Sequence, residues 1–220
     1  MNTALLTRMP PMACEADAVE RECARAAADL IHARQTVLPK RLLAPGPDAD
    51  QLQALLGAAA AAPDHGQLLP WRFVIVPRTE RASLAEVFAQ ALRERDASAT
   101  PEQLDQAREK AHRAPLLLLV VVDGQRGDPA VDLHERILSA GCSVQNMLLM
   151  ATAMGYGSAL TSGKALGSRA LRHRFGLHAG EHALCFMSVG TVAARRPART
   201  RPTVADYCST LGPAPAPNAN

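Results

Sequence analysis

The chain has 220 residues, enough for one domain with one core, and nothing in its middle has the composition of a linker. An apolar fraction of 48% supplies a buried interior, but aromatics are only 3%, so Ala, Leu and Val must do the packing. With 24 Lys and Arg against 21 Asp and Glu, a formal charge of +3 and no aromatic cluster, the chain lacks the basic, aromatic-interleaved face of a nucleic-acid reader; its excess of Arg in 169–174 and 195–201 points to local anion binding.

Met1 to about Glu15 reads as a loose extension, followed by an amphipathic helix over Ala16 to His32 with Val19, Cys23, Ala26 or Ala27, and Leu30 at helical spacing. Pro39 to Pro47 holds three prolines and a glycine and reads as a surface loop. Asp48 with Gln51 three positions on is a capping-box start, and Leu52, Leu55, Leu56 and Ala59 stripe a helix that Pro63 stops. Trp71 to Pro77 is β-branched and aromatic between prolines, which predicts a strand with Trp71 in the core. Glu80 to Leu92 is the next helix; Thr100, Pro101 and Gln103 mark the start of another that runs to about His112.

Pro115 to Asp123 is apolar without alternation, the pattern of a central strand covered on both faces. His134 to Met154 reads as a long helix whose second half is apolar nearly all round, to be buried in the domain or between subunits. Ser168 to Phe175 is a short helix stopped by Gly176, and Ala183 to Val192 is another strand. Tyr207 to Leu211 is a small apolar anchor, and the Pro-, Ala- and Asn-rich end is expected to be disordered. Strands separated by several helices, without regular βαβ alternation, indicate an α+β fold.

The five cysteines (Cys14, Cys23, Cys142, Cys185 and Cys208) are scattered, with no zinc-type spacing, which fits a reducing, cytoplasmic setting. The longest apolar run, Leu116 to Val122, falls far short of the roughly 20 residues a membrane span needs. Several catalytic motifs fail on spacing. Gly157 to Lys164 has one residue too many for a phosphate-binding loop and Ala165 where Ser or Thr is required. Gly155-Tyr156-Gly157 lacks the third glycine of a dinucleotide fingerprint, since Leu160 stands there. His134-Glu135 lacks a second zinc-binding His and reads as a solvated helix start, while Cys142 and Cys185 sit in apolar segments where a thiol is inert.

Four separated segments do form a pattern: Arg34-Gln35-Thr36; Ala62-Pro63-Asp64-His65-Gly66 with Pro70-Trp71-Arg72-Phe73; Ser139 to Asn146; and Gly157 to Gly163. In this order and at these intervals, over about Ala28 to Leu211, the chain resembles the nitroreductase family of small FMN-dependent NAD(P)H oxidoreductases. The resemblance implies a central, mostly antiparallel sheet flanked by helices and an intertwined homodimer with FMN at the subunit interface. It divides the chain into an N-terminal extension with the start of the first helix (1–27), a single FMN-binding domain (28–211) and a tail (212–220).

An FMN site must hold a doubly charged phosphate, satisfy the polar edge of the flavin ring and leave one ring face open. Arg34 and Thr36, with Gln35 between them, offer a guanidinium fork and a hydroxyl where a helix ends; taken alone, Arg34 is an ordinary surface Arg. His65 matches the family position beside the flavin, although a His after Pro-Asp is also an ordinary turn residue. Ala61, one turn earlier, offers only backbone. Leu160-Thr161-Ser162 matches the segment that packs on the ring in relatives, where Trp-Arg-Ser is often found, so a stacking surface and a charge are replaced here. Arg195 and Arg196 follow the last strand where relatives often carry a phosphate-binding base, and read equally well as a solvated tail. The implied chemistry is hydride transfer from NAD(P)H through FMN to a small electron-poor acceptor such as a nitroaromatic or quinone, with no side chain required as acid or base. A flavin-binding or flavin-processing protein without NAD(P)H turnover, and an α+β module that binds another anion, are the alternatives.

Overall fold

The computed structural model describes residues 12–194 and 200–212. Its helices are α1 (Met12–Ala33), α2 (Ala49–Ala59), α3 (Arg81–Arg95), α4 (Pro101–Glu109), α5 (Leu133–Ala153) and α6 (Arg169–Arg174). Its strands are β1 (Leu42–Leu43), β2 (Trp71–Ile75), β3 (Leu116–Asp123), β4 (Gly157–Thr161) and β5 (Glu181–Val192). The strands pair antiparallel throughout: β3 lies between β2 and β5, and β5 also pairs β4 and β1. The expected α+β fold with an antiparallel sheet flanked by helices is present.

Period-two alternation in β3 distributes its side chains to two cores. Leu116, Leu118 and Val120 pack with Met187, with Leu55 of α2 and with Val144, Met147 and Leu148 of α5. Leu117, Leu119 and Val121 pack with Phe186, Leu84 and Val87 of α3 and Leu171 of α6. All seven residues from Leu116 to Val122 are buried, as an unalternating apolar run requires. Trp71 is buried in a third cluster with Val122 and Ala140.

The expected caps are in place. Asp48 and Gln51 exchange side chain to backbone bonds at the start of α2, and Thr100 and Gln103 do the same for α4. Ser168 caps α6, and Gly176 follows it with φ of 58°.

Several expectations need correction. Helix α1 begins at Met12, not Ala16. The proline-rich stretch is not all surface loop. It holds a 3-10 turn at Pro39–Arg41, then β1, whose Leu42 is buried against β5. Gly157 to Thr161, read only as a motif, is strand β4. Tyr207 and Leu211, the expected small anchor, are 70% and 97% exposed, so among the described residues they are not buried in the chain's own core and stay open to a second subunit. The expected disorder of the last residues, like the roles weighed for Arg195 and Arg196, lies outside the described residues, apart from Gly212.

Two arginines that the sequence did not single out are buried and tie loops to the sheet. Arg81 donates to the carbonyls of Val76, Ala111 and Pro115. Arg136 donates to those of Val131, Asp123, Arg126 and Asp128, closing the connection between β3 and α5. Each gathers several carbonyls of the loops around it onto one guanidinium. Among the described residues no helix is long and apolar enough to cross a membrane.

Candidate functional site

Arg34-Gln35-Thr36 leaves the end of α1 and is pinned to the edge of β4. Thr36 forms a parallel bridge with Ser158, and the Val37 N–H donates to the Ser158 carbonyl at 2.9 Å. Gly157 sits in a crowded crossing, where an added Cβ would lie 2.3 Å from Val192 Cγ2 and 3.0 Å from Val37 Cγ2, so those side chains would have to shift. All three residues of the triplet line a cavity of about 1080 Å³ together with Arg41, Tyr156 and Arg201. Its described lining contains three arginines and no carboxylate. Arg201 reaches back across the chain, its Nη2 donating to the Arg34 carbonyl at 3.0 Å, while Arg34 enters hydrogen bonds among the described residues only through its backbone. Ser158 Oγ, beside Thr36, is buried and has no partner among the described residues.

The far end of β4 carries Leu160, Thr161 and Ser162, all exposed. Thr161 and Ser162 line a second cavity of about 570 Å³, shared with residues of α3 and α4. Leu38 lines the first cavity and Pro39 the second, so the segment after the triplet runs from one to the other. Leu160 lines neither cavity.

Ala61 and His65 also line neither cavity. They sit on the connection from α2 to β2, which is held open by left-handed backbone at Gly66, Gln67 and Leu69. Two of these are not glycine, a conformation that costs of order 1 kcal/mol each, and the Asp64 carboxylate secures it by accepting the Leu69 N–H at 2.6 Å. His65 Nδ1 stands 3.3 Å from Glu135 Oε2 at the start of α5, both side chains being more than half exposed.

Arg201, Arg41 and Tyr156 were missed at the level of sequence. The basic stretch 195–201 was the signal, but which of its arginines meets Arg34 depends on a contact spanning almost the whole chain. Cys185 offers no thiol chemistry: burial pushes it up to about 11.

The family model described as "Nitroreductase family" matches residues 31–191. A Haemophilus influenzae protein named as a candidate NAD(P)H nitroreductase is 35% identical over 152 residues, covering 69% of this chain and 82% of its own. Among solved structures, a nitroreductase-like family protein from Bacillus cereus superimposes with a TM-score of 0.72 at 18% identity, covering 84% of this chain and 95% of the other. A variant of an FMN- and NADPH-dependent nitroreductase from Sphigopyxis sp. strain HMH gives a TM-score of 0.66 at 17% identity, covering 84% and 99%.

Proposed function

Since the chain belongs to the nitroreductase family, a family of oxidoreductases, we propose that it binds FMN and uses NAD(P)H to reduce a small electron-poor acceptor such as a nitroaromatic or quinone. The observation that carries this reading is the first cavity, where Arg34, Thr36 and Arg201 converge with no carboxylate among its described lining. Two guanidinium groups and a hydroxyl suit a phosphate dianion: charge-assisted donors are roughly twice as strong as neutral ones, and forked donors match the spacing of phosphate oxygens. The buried, unpartnered Ser158 Oγ beside Thr36 is a further polar group at this edge.

In this reading Arg34, Thr36 and Arg201 hold the phosphate. Gln35 lines the same cavity, and Leu160, Thr161 and Ser162 follow at the far end of β4, with the Thr161 and Ser162 hydroxyls available to the polar edge of the ring. Bound there, FMN would supply the redox chemistry that links nicotinamide to acceptor. The chain's own part is to place donors where negative charge develops and to keep water from the reacting face. Leu160 gives an aliphatic surface in place of an aromatic one.

We further propose a homodimer with the site at its interface. Val19 and Ile31 on α1 and Leu138 on α5 are 60%, 52% and 70% exposed, apolar surface that a second copy would cover. Ala61 and His65, which line neither cavity of their own chain, would then serve the site of the partner subunit.

Anaerobic mixing of the FMN-loaded protein with NADH or NADPH tests the function. Bleaching of the bound flavin by at least one donor, followed by reoxidation with a nitroaromatic or quinone, is the expected result. Flavin that binds but is reduced by neither donor would make the protein a flavin carrier or flavin-processing protein.

A further inference from the structure

The second cavity differs in chemistry from the first. Its floor is apolar: Leu117 and Phe186 are buried, and Phe88 meets Phe186 edge to face with centroids 5.5 Å apart. Its rim is basic, with Arg95 at the end of α3, Lys110 and Arg113 following α4, and Lys164 beyond β4.

Asp96 is the only carboxylate among the described lining residues, and its Oδ1 is already engaged by the Ser98 N–H at 3.0 Å and hydroxyl at 2.6 Å. On the α3–α4 pair, Glu86 and Asp105 are both engaged by Arg108, at 2.7 and 2.8 Å. Arg113 uses Nη2 on Glu109 at 3.3 Å, but its Nε is buried and has no partner among the described residues. Arg95, Lys110 and Lys164 form no ion pair among the described residues. Four cations around one concave site repel one another, and an anion entering it relieves that repulsion in a setting less screened than open surface.

We propose that this cavity is the acceptor's specificity pocket, and that it selects flat, electron-poor molecules carrying a carboxylate, with the ring on the Phe88–Phe186 floor and the anionic group on Lys110 and Lys164. The volume, about 570 Å³, falls in the range of small-molecule pockets. Thr161 and Ser162 line it, so the pocket opens on the segment assigned to the flavin ring; the inference rests on that assignment. Single-ring nitroaromatic acids are the acceptor class with this pairing of apolar body and single charge. The phosphates of a nicotinamide dinucleotide share the anionic chemistry, and the test separates the two.

Equilibrium dialysis with para-nitrobenzoate and with neutral para-nitrobenzamide against the FMN-loaded protein, alongside steady-state kinetics on both, compares the wild type with a Lys110→Gln/Lys164→Gln variant. Both lysines are exposed, so the fold should be unaffected. For para-nitrobenzoate, Kd and KM should rise about tenfold or more, while for para-nitrobenzamide both stay within about twofold, since loss of a charge-assisted contact is felt only by the charged ligand. A Lys110→Arg/Lys164→Arg variant should restore the preference. Equal effects on both acceptors, no effect on either, or a rise confined to KM for NADH or NADPH would overturn the proposal. Dialysis reads the pocket without turnover, so a protein whose flavin is never bleached can still bind nitrobenzoate selectively, and failure of the reductase reading is distinguishable from failure of this one.

Discussion

On the side of the sheet covered by α3, α4 and α6, the chain completes its own packing. Leu84, Val87, Leu171 and Phe186 are buried together, Arg81 is bonded to three carbonyls, and Arg108–Glu86 and Arg174–Glu80 tie the helices to one another. On the side of α2 and α5, Val144, Met147 and Leu148 close the core, but the outer layer is unfinished. Helix α1, which lies against α5, is exposed from Ala18 to Ala33 except for a half-buried Leu30, and Leu138 faces outward. The contrast teaches that one half of the fold is self-sufficient while the other presents surface suited to a second copy. Of the candidate site residues, Arg34, Gln35, Thr36, Thr161 and Ser162 line cavities, whereas Ala61, His65 and Leu160 line neither.

The largest expected effect strikes the self-sufficient side. Arg81→Ala strands two buried carbonyls and a part-buried one and should cost about 3 kcal/mol in urea unfolding, independent of protein concentration. A loss too small to measure would mean that water replaces the guanidinium and that this side is less closed than described. Leu138→Asp probes the unfinished side. It should leave the secondary structure intact but weaken association by about 2 kcal/mol per copy, seen as a shift from two chains to one in sedimentation. Unchanged mass would remove α5 from the interface.

Glu181→Gln should cost about 1 kcal/mol at neutral pH, discounted because Arg72, its bidentate partner at 2.6 and 3.0 Å, is 41% exposed. The hydrogen bond from Arg72 is the largest cause holding the Glu181 carboxyl below its usual range. The folded state therefore binds the proton less well than the unfolded chain, so the stabilisation is full above about pH 5 and fades as pH falls through the folded value. The gap in Tm between wild type and variant should close in acid; a gap that widens would contradict the pairing. Smallest is Asp48→Ala, which removes the α2 cap and should lower stability by about 0.5 to 1 kcal/mol in thermal unfolding.

Much of the self-sufficient side was legible in the sequence because its signals are local. Thr100-Pro101 with Gln103 announces a helix start, and seven consecutive apolar residues announce a strand buried on both faces. The misses share a cause. Strand β4, Gly157 to Thr161, has little intrinsic β preference; it is a strand because β5 and Thr36 supply its partners. Strand β1 is two residues inside a proline-rich stretch, made by pairing with Val192 and Thr191. Within the site, the Arg-Gln-Thr triplet was readable as a phosphate candidate by residue type and by resemblance. Arg201 was not, because only the fold brings it to Arg34, and the charge of the second cavity was not, because its cations come from α3, the end of α4 and the residues after β4.

The central claim, that the first cavity holds the phosphate of FMN, is tested most directly by incubating the purified protein with FMN, removing free flavin and recording the absorbance of wild type and Arg34→Ala side by side. Flavin bands retained by the wild type, with FMN affinity about tenfold or more weaker in the variant, are the expected result, the size following from the loss of a charge-assisted contact. A wild type that retains no flavin, or a variant that retains it equally well, would contradict the account.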